Sequence, residues 1–190
     1  MLKTSGGRTA LKSFLFGLVL GVLIVPLAVF GYFATGYAPV ATAAKTIPFE
    51  RLLASSALHA RISREMPKTV PISSDESSYS AGVEIYRQDC AVCHGLPGEE
   101  PTAIAQGMFP HPPHLFRGKG VTDDEPQETY WKVKNGIRLT GMPGFEKSLS
   151  ETQMWQVSLL LANADKLPDS VKQSLAAPAA VPTGQAAPKH

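Results

Sequence analysis

The sequence predicts an all-α protein, one N-terminal transmembrane helix followed by a small helical domain, on three observations. From Phe14 to Phe33 run twenty residues of almost unbroken Leu, Val, Ile, Phe, Gly and Ala, inside a stretch from Ser13 to Ala44 without a charged residue. Gly82, Ile85 and Tyr86 stand at i, i+3 and i+4, and Met154, Trp155, Leu159 and Ala162 form a second helical stripe behind Ser150-Glu-Thr-Gln, a capping pattern. Between them, Thr122 to Gly136 carries an N-cap candidate at Thr122, acids in the first turn, Lys132 and Lys134 in the last, and a terminating Asn-Gly, with Trp131 and Val133 expected to face inward.

The 190 residues, 44% of them apolar, suffice for one modest domain plus appendages and exclude a second large core. Twenty helical residues rise roughly 30 Å, the thickness of a bilayer hydrocarbon core, so residues 13–34 read as a signal anchor. Pro26 falls mid-span, where a membrane helix tolerates it and bends. Lys3, Arg8, Lys12 and the chain amine precede the span, and the next charge is Lys45. The positive-inside rule therefore keeps residues 1–12 in the cytoplasm and sends the rest to the outer, periplasmic side of a bacterial cytoplasmic membrane. The rival reading is a cleaved signal at Ala41-Thr42-Ala43. The apolar run is too long for a signal h-region and the A-x-A lies well past its end, though either reading exports the same domain.

Residues 35–77 read as a juxtamembrane helix and linker. In Phe49–Met66, residues Phe49, Leu52, Leu53, Ala57, Ala60 and Ile62 are placed mainly along one face, as in an amphipathic helix at a membrane surface, with His59 a solvated or interfacial side chain. Pro67 stops it, and Pro71 with residues 73–78 makes an extended linker. Residues 166–190, rich in Ala and Pro and lacking aromatics, read as a disordered tail.

Charge divides by region. Residues 1–77 hold eight Lys/Arg and four Asp/Glu, residues 78–165 seven and eleven, and residues 166–190 three and one. The acidic middle block makes nucleic acid an improbable partner, because a phosphate binder concentrates cations where it binds.

The two cysteines sit in Cys90-Ala-Val-Cys93-His94. C-x-x-C-H is the c-type haem attachment pattern: thiols at i and i+3 add to the two vinyl groups of one haem edge, and the adjacent imidazole becomes the proximal iron ligand. A dithiol would want a βαβ context, and none is visible near residue 90. A zinc site would need a second ligand pair, for which His111 and His114 stand available. For the second axial position the candidates are Met108, His111, His114, Met142 and Met154. Met142 is preferred, 48 residues after His94 in Thr140-Gly-Met-Pro-Gly-Phe145, a loop able to project a side chain. Met154 lies on a helical stripe and suits the core, Met108 would have to turn sharply round the haem edge, and either histidine would give bis-His ligation and a lower potential.

With C-x-x-C-H and Gly-Met-Pro in place, the region from Ser80 to Asn163 resembles a class I, monohaem cytochrome c domain of the bacterial membrane-anchored kind, and residues 78–165 are assigned to it. The resemblance implies a small all-α fold around one covalent haem c, its first helix crossing its last. It implies that in Pro113-His114-Leu115 the Pro113 carbonyl accepts the His94 Nδ1 proton while Leu115 packs on the haem, and that Arg138 pairs with a propionate, a solvated arginine being the alternative. The domain departs from the mitochondrial type in being acidic and tethered. The expectation is an electron-transfer protein without catalytic residues, serving a quinol-oxidising complex, a terminal oxidase or a periplasmic dehydrogenase at the membrane. Competing are a cytochrome subunit of a dehydrogenase complex and a peroxidase or gas-sensing module with an exchangeable axial site.

Overall fold

The computed structural model describes residues 6–117 and 124–177, with side chains from Ala10 onward. Lys3, the predicted cap Thr122 with Asp123, and the tail from Pro178 lie outside the described residues. All regular structure among the described residues is helical: α1 (Gly6–Ala34), α2 (Glu50–Glu65), α3 (Glu76–Ile85), a π-helical turn (Tyr86–Cys90), α4 (Ala91–His94), α5 (Ala103–Gly107), α6 (Pro126–Asn135), α7 (Glu151–Ala162) and α8 (Asp169–Ala176). The chain divides into two compact units, residues 1–48 and 49–190.

The first unit is built on α1, which continues through Pro26. Its Ala10–Ala34 stretch has a mean hydropathy of 2.6 and is long and apolar enough to cross a membrane. Its large apolar side chains are exposed throughout, from Phe14 to Phe33, as a lipid-facing helix requires.

In the second unit, α3 packs chiefly on α7, and α6 on the neighbouring side of α7. Asp75 caps α3 by accepting from the Ser78 N–H at 2.9 Å. Ser150 and Gln153 form the reciprocal capping box that the sequence pattern anticipates for α7. Where α3 meets α7, a methyl at Gly82 would lie 2.5 Å from the Gln156 carbonyl oxygen, so only glycine permits the approach. Val83, Tyr86, Trp155, Val157 and Leu160 are buried in the core, and Tyr130 of α6 stacks on Trp155 with ring centroids 4.0 Å apart.

Four expectations change. The middle helix begins at Pro126 with Glu125 as its cap residue, since proline at the first helical position carries a preset φ and loses no hydrogen bond there. Its buried faces are Tyr130 and Val133; Trp131 is half-buried against α2, its Nε1–H donating to Glu65 at 3.3 Å. In α2, Ile62 does not share the side of Leu52 and Leu53: it is 2% exposed, while those two are 60% and 67% exposed. Ile62 stands about 180° round the helix from Leu53 and faces the body of the domain. Finally, the chain is not irregular from residue 166. Asp169–Ala176 is helical, with Leu167, Val171 and Leu175 buried in the core. The Arg87 guanidinium closes the end of α8, donating to the carbonyls of Ser174, Leu175 and Ala177 at 3.3, 2.9 and 2.7 Å.

Candidate functional site

The π-helical turn and α4 place the C-x-x-C-H residues in one short helical run. An extra residue per turn shifts the side chains that follow it, and such bulges recur at functional sites. Tyr86, fully buried, anchors the run at its far end by donating its hydroxyl to the Gly95 carbonyl at 2.6 Å, and its ring meets Phe116 edge to face at 4.9 Å. Burial, with the charge at Cys90 beside it, drives the Tyr86 hydroxyl well above its usual range, so it stays a neutral donor.

Cys90, Cys93 and His94 are all half-buried. Burial, reinforced by Asp89 and Cys93, pushes the Cys90 thiol up to about 12. That is the reverse of the depressed value a thiolate nucleophile at that position would need. The His94 Nδ1–H donates to the Pro113 carbonyl at 2.8 Å, the bond the resemblance implies. Burial holds the His94 imidazole below its ordinary value; the Pro113 acceptor opposes this and the neighbouring His114 adds to it. The ring is thus neutral with Nδ1 protonated, leaving Nε2 with the lone pair that binds a metal.

His114 spends both nitrogens on the backbone. Its Nε2–H donates to the Leu96 carbonyl at 3.2 Å and its Nδ1 accepts from the Phe116 N–H at 3.2 Å, with the ring lying against Gly95. This occupies it as an axial ligand and as an acid–base group alike. His111 is exposed, its Nδ1 3.5 Å from the Ala105 carbonyl oxygen. No three His, Cys, Asp or Glu residues among the described ones cluster as a metal site, so the zinc alternative lacks its second ligand pair.

Met142 lies half-buried against the hydrophobic core in a loop folded back on the end of α6. The Ile137 N–H donates to the Met142 carbonyl at 3.2 Å, the Met142 N–H to Thr140 Oγ1 at 3.1 Å, and the Phe145 N–H to the Val133 carbonyl at 2.9 Å. Gly136 makes the fold-back possible: its φ is +67°, and a Cβ there would stand 2.5 Å from the Gly144 nitrogen. Met154 is buried in the core, as its stripe position suggested. Met108 comes closer to the loop than its place in the sequence indicates, with its methyl against Gly141. Leu115 packs on the core and Arg138 is exposed.

These donors fit a haem c. Two thiols and an imidazole with one free nitrogen stand on one helical run, a thioether is held on a separate pinned loop, and Leu115, Phe116 and Phe145 pack against the same hydrophobic core as Cys90 and Met142. The Trp155 Nε1–H, a buried donor without a partner, leaves one polar contact to be met at the core.

Three comparisons bear on this arrangement. A family model described as cytochrome C oxidase, cbb3-type, subunit III matches residues 77–159. No curated protein matches significantly. Among solved structures, a chain of the Kuenenia stuttgartiensis reducing HAO-like protein complex Kustc0457/Kustc0458 is similar at 26% identity and a TM-score of 0.42, over 48% of this chain and 45% of that one. This chain therefore spans less than half the length of that relative.

Proposed function

Because residues 77–159 are a cytochrome c domain, we propose that the protein is a membrane-tethered electron carrier with one haem c, attached through Cys90 and Cys93 and ligated axially by His94 and Met142, on the periplasmic side of a bacterial cytoplasmic membrane. The observation that carries this reading is the His94 Nδ1–H bond to Pro113 at 2.8 Å, which presents Nε2 to a metal, next to two thiols at the attachment spacing. Haem bound there supplies a one-electron ferric/ferrous couple.

The chain's own residues hold that couple in a fixed setting. Pro113 fixes the His94 tautomer and raises the donor strength of Nε2. Tyr86 and His114 brace the backbone that leaves His94, through the carbonyls of Gly95 and Leu96. The Phe145 N–H bond to the Val133 carbonyl pins the Met142 loop to α6 and the Ile137 N–H bond to the Met142 carbonyl closes the loop on itself, which would hold the thioether in place. Leu115, packed on the core, would help keep water from a bound haem, and the exposed Arg138 would be the partner for a propionate. With His94 and Met142 as its two protein donors, a bound haem would have no open position for a reactant, and the protein would take up and release electrons without being an enzyme. The α1 span keeps the domain near partners in the membrane, a quinol-oxidising complex, terminal oxidase or dehydrogenase, and raises their effective concentration.

A spectroelectrochemical titration of the full-length protein in detergent tests this. The expected result is one reversible one-electron step, low-spin in both states and indifferent to carbon monoxide. A high-spin resting iron that binds carbon monoxide would instead make the chain a peroxidase or gas-sensing module. The family description names an oxidase subunit, which supports the related reading of a cytochrome subunit in a larger complex; copurification from solubilised membranes separates a subunit from a free carrier.

A further inference from the structure

We infer that α2 is an interfacial strut, whose free apolar face lies in the lipid headgroup layer while its opposite face is fixed to the haem domain, so that the domain is held at a set orientation to the membrane. The inference rests on the membrane tether proposed above.

The helix has two working faces. Ser55, Leu58, Ile62 and Met66 follow one another at i, i+3 and i+4 spacing and are the half-buried and buried positions, turned toward α6. Glu65 adds a polar anchor there by accepting from the Trp131 indole at 3.3 Å. Roughly opposite, by 100° per residue, stand Leu53 and Ala60, with Leu52 on the flank about 80° from Ile62 and Phe49 at the cap position before the helix. Phe49, Leu52 and Leu53 are 72%, 60% and 67% exposed, a cluster of large apolar side chains presented at the end of α2 nearer the span in sequence. On a helix already docked by its other side, these residues contribute nothing to the domain's own core.

Two features of the chain select lipid as the occupant. First, only fourteen residues separate Ala34, the end of the span, from Phe49. Fully extended they reach at most about 50 Å, so the start of α2 cannot leave the neighbourhood of the bilayer. Second, the segment from Lys45 to Lys68 holds five Lys/Arg against two Glu, with Arg64 about three turns beyond Leu53 on the same side of the helix, whereas residues 78–165 are net acidic. A cationic helix with an apolar face suits an anionic headgroup surface, and the acidic domain beyond it is repelled from that same surface. The docked end of α2 would convert that asymmetry into one preferred orientation.

The test uses full-length holoprotein reconstituted in vesicles of equal phosphatidylcholine and phosphatidylglycerol. The Leu53→Cys variant carries a nitroxide spin label on its one unattached thiol, and Glu84→Cys, on an exposed site of α3, serves as the aqueous reference. At position 53 the inference predicts relaxation enhanced severalfold more by dissolved oxygen than by a water-soluble nickel chelate, with the reverse at position 84. In oriented bilayers the haem band of the wild type should show linear dichroism, and Leu52→Glu with Leu53→Glu should reduce it toward the isotropic value.

A label at 53 that the nickel chelate reaches freely would overturn the strut, as would one shielded from both relaxants, which would mean that protein covers this face. Undiminished dichroism in the double variant would do the same. Release of the wild-type protein by alkaline carbonate would instead count against the tether itself, which keeps the two failures apart.

Discussion

A methyl group at Gly82 would have to occupy space 2.5 Å from a backbone carbonyl oxygen, which cannot rotate away. Gly82→Ala should therefore separate α3 from α7 and cost about 1–3 kcal/mol. Urea titration checks it; an unchanged midpoint would mean that the helices cross elsewhere. Tyr86→Phe removes the hydroxyl and leaves the buried Gly95 carbonyl without its partner, at a cost of about 1–3 kcal/mol in the same titration. Such single residues were legible in the sequence to different degrees. Cys90, Cys93 and His94 announce themselves because the attachment chemistry demands adjacency, and Gly82 and Ser150 because helix contacts and caps are local. Tyr86 was read as a helical stripe position, yet its hydroxyl bonds to Gly95, nine positions on. His114 looked like a free ligand because no pattern shows that Leu96, eighteen positions earlier, would take its Nε2–H. A hydrogen bond across a fold leaves no periodic trace.

At the scale of elements, the helices with full caps and stripes are those the sequence predicts, while the short pieces and the outer helices differ. α8 shows why. Its eight residues hold only Val171 and Leu175 as large apolar groups, one turn apart, too few to mark a helix against an Ala/Pro-rich background. Their burial depends on a core supplied by α3, and the helix end depends on Arg87, more than eighty residues away. Leu175→Ala should accordingly cost about 2–5 kcal/mol and lower the thermal midpoint. A cost below about 0.5 kcal/mol, the level of an ordinary surface change, would mean that α8 is not part of the cooperative domain. The reassignment of Ile62 in α2 has a similar origin: nine apolar residues among the eighteen from Phe49 to Met66 are compatible with more than one stripe, and only the docking of α2 on α6 divides them.

For the molecule as a whole, the family match at residues 77–159 and the apolar helix at Ala10–Ala34 support a cytochrome domain joined to a tether. The order of these parts was readable from hydropathy and charge, since membrane insertion responds to just those quantities. Which sulfur completes the haem site was readable only as a preference, because Met108 and Met142 both end near the same loop. The near-infrared spectrum of the oxidised full-length protein decides it most directly. The account predicts the weak band of methionine-sulfur ligation in the wild type, its loss in Met142→Ala and its retention in Met108→Ala. A band that survives Met142→Ala, or that the wild type lacks, would contradict the closed His94/Met142 site on which the electron-carrier reading depends.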